Sequence, residues 1–256
     1  VAASDVVARL RAAGCVFAED EARLLVSAAG TPEELASMVD RRAAGEPLEY
    51  VLGWAEFAGL RIAVDPGVFV PRRRTEFLVD RAATLARPGA VVVDLCCGSG
   101  AVGAALASRV ERIALYSVDL DPAAVRCARR NVPRVYQGDL YEPLPTDLRG
   151  RVGVLVANAP YVPTGAIALM PPEAREYEAL IALDGGPDGL DVVRRVIAGA
   201  RGWLAPDGHL LVETGQRQAP VVVEAATRAG LTARVASAEE IGATVVIAAV
   251  IVSSRT

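Results

Sequence analysis

Lysine is missing from this chain, and all 27 basic residues are arginine. With the abundance of alanine, that bias reads as genome composition rather than function. Histidine occurs once, at His209, and cysteine only at Cys15, Cys96, Cys97 and Cys127. No CxxC pair and no second histidine is available, so no metal site is expected. His209 follows Asp207-Gly208 at a predicted strand start, a poor position for a general base. Adjacent Cys96-Cys97 reads as small apolar residues at a tight strand end, not as a redox pair. The longest apolar run, Val245 to Val252, falls far short of the about 18 residues that a membrane span needs. Its β-branched content suits a buried strand. Val1-Ala2-Ala3-Ser4-Asp5 lacks the basic-then-apolar order of a signal peptide, so a cytoplasmic location is expected. A formal charge of −4 argues against a strongly nucleic-acid-binding surface. The one basic run, Arg72-Arg73-Arg74, reads as a solvated loop, with contact to phosphate or an acidic partner as the alternative.

What the chain does have is an ordered alternation of elements. At 256 residues it can bury a full α/β core and still carry a small second domain. Ser4 is placed to cap a helix through about Ala13, and Glu19 to Ala29 shows helical spacing. Thr31-Pro32-Glu33-Glu34 joins an N-cap, a first-turn proline and early acids, starting a helix that ends near Gly45. Trp54 to Val64 alternates around Gly59 and reads as a hairpin, closed by Asp65-Pro66-Gly67. From about Thr75 the pattern predicts strands over 90–94, 113–119, 133–137, 152–157, 208–214, 231–236 and 244–251. Helices are predicted over 75–86, 101–109, 122–131, 189–203 and 218–229. This implies an α/β fold with a doubly wound, mostly parallel seven-stranded sheet. The last two strands follow one another without a helix, so one of them can run antiparallel. The expected division is a helical substrate-recognition domain over 1–50, a hairpin linker over 51–70 and the α/β domain over 71–256.

Val91-Val92-Val93-Asp94-Leu95-Cys96-Cys97-Gly98-Ser99-Gly100-Ala101-Val102-Gly103 is a strand, a glycine-rich turn and a helix start. Its glycines allow close backbone approach to a ligand, and the helix start offers free N–H groups. Asp119 ends the next strand, placed for ribose hydroxyls. Gly98, Gly100 and Gly103 with Asp119 also fit the dinucleotide fingerprint. Two details favour S-adenosylmethionine. Asp94 stands at the strand end, where a carboxylate suits an ammonium and a sulfonium and repels a pyrophosphate. Asp139, in Gly138-Asp139-Leu140, ends the third strand and suits an adenine amino group, with Leu120 and Leu140 placed to sandwich the ring.

After the fourth strand comes Asn158-Ala159-Pro160-Tyr161. Alone this is ordinary turn chemistry. At the carboxyl edge of the same sheet it has a specific use. The Asn158 side-chain oxygen and the Ala159 carbonyl can accept both hydrogens of a planar NH2 group and aim its lone pair in line at a methyl carbon. Such positioning supplies up to roughly 7–11 kcal/mol. Tyr161 and Pro160 would shape the slot.

These stretches resemble the bacterial release-factor glutamine N5-methyltransferases (the HemK/PrmC family). The resemblance runs from about Gly45 to the end. It is carried by Gly45-Glu46-Pro47-Leu48-Glu49-Tyr50-Val51-Leu52-Gly53, Val64-Asp65-Pro66-Gly67-Val68, Pro71-Arg72 with Thr75-Glu76, and Asp94 to Gly103. Gly138-Asp139-Leu140, Asn158 to Tyr161, and Leu183-Asp184-Gly185-Gly186-Pro187-Asp188-Gly189-Leu190 complete it. It implies a class I (Rossmann-like) methyltransferase domain behind a helical domain and hairpin. It also implies that Cys96, Cys97, Gly98, Ser99, Gly100, Asp119 and Leu140 hold the donor. The implied partner is a peptide chain release factor, methylated on the glutamine of a Gly-Gly-Gln loop by a monomeric enzyme.

The chain departs from the family pattern in places. Ala159 replaces the first proline of Asn-Pro-Pro-Tyr, which keeps the carbonyl and gives up a few tenths to about 1 kcal/mol of preorganisation. Arg73 and Arg74 stand where proline and an acid are usual, and Cys96-Cys97 where Gly-Thr is commoner. These changes suggest a divergent paralogue. The alternatives are an N6-adenine methyltransferase, for which a basic groove is expected, and a non-catalytic donor-binding protein.

Overall fold

The computed structural model describes residues 3–250. Among them, no helix is long and apolar enough to cross a membrane. Helices α1 (Ala3–Ala12), α2 (Ala18–Ala28) and α3 (Pro32–Ala43) pack on one another and on the short α4 (Leu48–Leu52). None is long enough to be stable alone. Their fully buried Leu10 and Leu25, packed with Val6, Met38, Val39 and Val51, supply the missing free energy. Each such leucine contributes about 1.5–3 kcal/mol. The Thr31 cap forms as predicted: its Oγ1 accepts from the Glu34 backbone N–H at 3.1 Å, and Glu34 Oε2 accepts from Gly30 N–H at 2.7 Å. Ser4, however, lies inside α1 and not at its cap.

Arg42 ties this helical group inward. Its side chain is 8 % exposed, with Nε 2.7 Å from Glu21 Oε2 and Nη1 2.7 Å from Glu173 Oε1. Glu173 belongs to a distant part of the chain, the short helix α8 (Pro172–Tyr177). A buried guanidinium with two carboxylate partners is costly to orphan from either side. Arg42→Ala is therefore expected to lower unfolding free energy by about 3–5 kcal/mol, read by urea denaturation.

Strands β1 (Trp54–Phe57) and β2 (Leu60–Ala63) form the predicted hairpin. Its two turn residues, Ala58 and Gly59, both have positive φ (52° and 77°), the conformation a tight two-residue turn demands. Tyr50 donates to the Val68 carbonyl at 2.7 Å, pinning the segment that leads into α5 (Glu76–Leu85).

The remaining strands are β3 (Val91–Leu95), β4 (Ala114–Asp119), β5 (Val135–Gln137), β6 (Val152–Ala157), β7 (Leu204–Glu213), β8 (Leu231–Ala238) and β9 (Ala243–Val250). They form one sheet in the order β5-β4-β3-β6-β7-β9-β8. All neighbours pair in parallel except β9, which is antiparallel to both β7 and β8. Helices α6 (Ala101–Arg109), α7 (Pro122–Ala128), α8 (Pro172–Tyr177), α9 (Asp191–Ala200) and α10 (Ala219–Arg228) complete the chain. Alternate strand residues feed two cores. Val92, Val154 and Leu211 pack with Leu78, Ala105 and Cys127, whereas Val93, Leu155 and Leu210 pack with Val193, Ile197 and Val222. Both faces are covered, so the strands read as unbroken apolar runs. The strand order reverses between β3 and β6, which opens a crevice at their carboxyl ends.

Some expectations need correction. Strand β7 begins at Leu204, before the predicted 208, because its pairing with β6 is irregular there: Val152 faces Leu204 and Val154 faces His209. His209 is thus inside a strand and not at its start. The segment after Val162 holds two short 3-10 turns and α8, none of which its proline spacing revealed. The end of the last predicted strand, Ile251, lies outside the described residues.

Candidate active site

Asp94 is 1 % exposed near the carboxyl end of β3. An acid can be buried there because the Gly103 backbone N–H, in the first turn of α6, donates to its Oδ2 at 3.0 Å. A Cβ on Gly103 would lie 3.1 Å from that oxygen and 3.0 Å from Leu115, so the glycine permits the approach. Burial pushes the Asp94 carboxyl up to about 7, the Gly103 N–H opposes this, and Asp119 adds to it. A cation brought beside it would restore the charged form.

The turn after β3 runs through the left-handed region at Cys96, Gly98 and Gly100 (φ 56°, 55° and 79°). Cys96 carries a Cβ in a conformation that favours glycine, the local cost of this departure from the family pattern. Burial raises both thiols, Cys96 and Cys97, so neither is a ready nucleophile. Asp119 Oδ2 accepts from Gly98 N–H at 2.8 Å, and its Oδ1 accepts from Asp121 N–H at 2.9 Å. The acid that closes β4 therefore also shapes the glycine turn. Burial raises its pKa, against the pull of those two N–H groups.

Cys96, Cys97, Gly98 and Ser99 line one cavity with Asp94 and Asp119. Leu120, Asp139 and Leu140 line it too, with Leu120 exposed and Leu140 buried at φ 49°. Gly100 does not: it turns back against Val132 and Ala128. Asp139 is shared with Arg195, whose Nη2 lies 2.5 Å from its Oδ2, so it is not free to serve adenine alone. The donor set fits a nucleoside with a cationic tail. A Cβ on Gly98 would meet nothing within 4 Å, so space stands open above the turn. The three arginines that line the cavity, Arg72, Arg74 and Arg195, are each paired, to Glu178, Glu213 and Asp139. That leaves buried Asp94 and half-buried Asp119 lining the cavity without an arginine partner, a setting hostile to a diphosphate.

Asn158, Ala159, Pro160 and Tyr161 line the same cavity from the end of β6. Asn158 Nδ2 lies 3.5 Å from Thr75 Oγ1, a long contact of the kind that tightens when a substrate binds. Tyr161 is fixed at its hydroxyl, which donates to Glu213 Oε1 at 3.1 Å and accepts from Arg74 Nη2 at 2.9 Å. Burial, then Glu213, pushes this phenol up to about 12. The basic run is a solvated loop only in part: Arg73 is exposed, whereas Arg72 donates to both oxygens of buried Glu178 at 2.7 Å and the partly exposed Arg74 reaches Glu213.

The glycine motif from Leu183 to Leu190 packs its backbone against this loop. Gly185 N–H donates to the Val162 carbonyl at 2.9 Å, and Val162 N–H to the Leu183 carbonyl at 3.1 Å. Gln218 Nε2 donates to the carbonyls of Tyr161 and Asp188, both at 2.9 Å. A Cβ would lie 2.7 Å from the Pro160 oxygen if placed on Gly185, and 2.3 Å from the Tyr161 oxygen if placed on Gly189. Thr75, Glu213 and Gln218 escaped the sequence reading. An acid closing β7, as Asp119 closes β4, is the signal that could have found Glu213.

A twisted sheet with one antiparallel strand, two acids at successive strand ends and an amide loop at the switch point define a class I S-adenosylmethionine-dependent methyltransferase. Residues 59–168 match the "Methyltransferase small domain" family model. The chain is 41 % identical over 208 residues to a release factor glutamine methyltransferase of Geobacter sulfurreducens, covering 78 % of this chain and 72 % of that protein. A protein of the same name from Mycolicibacterium smegmatis is 38 % identical, with 82 % and 78 % covered. The chain belongs to the release factor glutamine methyltransferase family. A Streptomyces pristinaespiralis protein named 4-amino-L-phenylalanine/4-methylamino-L-phenylalanine methyltransferase is 39 % identical, with 70 % of this chain and 65 % of that protein covered. Among solved structures, a Pyrococcus furiosus methyltransferase shares the fold at TM-score 0.56 and 17 % identity, over 74 % of this chain and 88 % of that one.

Proposed function

We propose that this enzyme methylates the side-chain amide nitrogen of a glutamine in the Gly-Gly-Gln loop of a peptide chain release factor. The observation that carries the reading is that Asn158 and Ala159 line the same cavity as Asp94 and Asp119. The bound donor would supply an electrophilic methyl group on a sulfonium. Asp94, Asp119, the Cys96 to Ser99 turn, Leu120 and Leu140 would hold it, with Asp139 sharing its charge with Arg195. Asn158 Oδ1 and the Ala159 carbonyl accept the two amide hydrogens, which fixes the plane of a weakly nucleophilic nitrogen. Tyr161 and Pro160 wall that plane. The helical group over 1–50 would grip the body of the release factor, with 51–70 as linker and 71–256 as the catalytic domain. Family membership and the curated relatives' names support this acceptor.

A planar arylamine would fit the same two acceptors, and one relative bears such a substrate in its name. Arg74, a cation where an acid is usual, adds support because it lines the cavity. Labelled donor offered with a release factor and, separately, with 4-amino-L-phenylalanine distinguishes the two. The expected result is one methyl group on the loop glutamine and none on the amino acid. Methylation of the amino acid alone would overturn the release-factor reading.

A further inference from the structure

Glu213 is a buried carboxylate behind the acceptor loop. It is 2 % exposed at the end of β7, and its Oε2 has no hydrogen-bond partner. Burial raises its pKa, and its neighbours work against that: Thr75, Arg74 and Tyr161 all favour the charged form. Arg74 Nε stands 3.5 Å from Oε1, and Tyr161 donates to the same oxygen at 3.1 Å. Thr75 is itself 2 % exposed and lines the cavity beside Arg74.

We infer that Glu213 and Thr75 are positioning residues of the acceptor site, Thr75 setting the Asn158 end of the loop and Glu213 the Tyr161 end. At one end the Thr75 oxygen presents a lone pair to Asn158, whose Nδ2 lies 3.5 Å away. Only the NH2 end of the carboxamide can answer a lone pair. The Asn158 side chain is thereby turned so that Nδ2 is spent on Thr75 and Oδ1 is the free acceptor. A carboxamide turned the other way would present two donors to a substrate NH2 group and repel it. At the other end, the Tyr161 hydroxyl passes its proton toward Glu213 and receives one from Arg74, which leaves the ring a single orientation. Arg74 keeps this assembly near neutrality, and it does so at a position where the family pattern carries an acid. The inference rests on Asn158 as the residue that holds the acceptor.

The test uses Thr75→Val, Thr75→Ser and Glu213→Gln in the full chain. Crystal structures of Thr75→Val and Glu213→Gln are expected to show the Asn158 carboxamide or the Tyr161 ring displaced, whatever the acceptor is. With a release factor as substrate, Thr75→Val is expected to lose kcat on the order of a hundredfold, the scale of a small misplacement of a reacting group. Donor affinity by calorimetry should hold, and Thr75→Ser, which keeps the hydroxyl, should restore kcat. An unmoved Asn158 in Thr75→Val, or an unchanged kcat, would overturn the inference. A wild-type enzyme inert toward release factors would instead overturn the acceptor proposed above, while the crystal structures still decide the positioning role.

Discussion

Replacing Asn158 by alanine is expected to lower kcat for methyl transfer by about 10²–10³-fold, the range seen when one preorganised hydrogen-bonding group is removed from an active site. Donor affinity, measured by calorimetry, should stay close to wild type. The separation follows from how the cavity is built. The groups that face the donor side belong to β3, β4 and the turns after them, and their hydrogen bonds run among Asp94, Gly103, Asp119 and Gly98 without involving Asn158. Asn158 is tied to Thr75 instead. Removing its carboxamide leaves the Ala159 carbonyl as the remaining acceptor on that edge. A planar NH2 group held by one oxygen can swing about that contact, and its lone pair is no longer aimed. If transfer continued at the wild-type rate, the role given to Asn158 would be wrong.

A second large effect is expected far from any reacting atom. Gly189 has φ 78°, and a Cβ there would lie 2.3 Å from the Tyr161 carbonyl oxygen and 2.5 Å from Gln218 Nε2. Backbone cannot retreat from such an overlap without moving the acceptor loop. Gly189→Ala is expected to cost about 1–3 kcal/mol of stability, as overpacking does. A left-handed φ adds to that cost. Its larger effect should be on turnover, because the displaced strand end carries Ala159 and Tyr161. Kinetics and thermal melting on the same preparation check this: kcat is expected to collapse while the protein stays folded at assay temperature. A Gly189→Ala enzyme with wild-type kcat would show that the motif does not hold the loop.

That the residues proposed for the donor would line one cavity was legible from sequence because they are local. Asp94, the glycine turn and Asp119 lie in one stretch whose apolar runs and turn residues announce strand, turn and helix in order. The acceptor loop was legible as a motif, and its place on the sheet followed from counting strands. What could not be read was anything that depends on contact across the fold. Thr75 and Glu213 reach Asn158 and Tyr161 from positions 83 and 52 residues away. The arginine run looked exposed because its partners, Glu178 and Glu213, sit on other elements that spacing alone does not bring near. Leu183 to Leu190 could be recognised as a motif, but its task appeared only when Gly185 and Gly189 were seen pressed against peptide oxygens.

That backbone-to-backbone seam has a consequence for how this family can change. The edge that meets the substrate is braced by peptide groups and one glutamine, so its path owes little to which side chains it carries. A proline can give way to Ala159 and the oxygen that matters is still delivered to its place. Chemistry at the mouth of the pocket is therefore free to drift, and new nitrogen acceptors can be tried, without rebuilding the frame behind it.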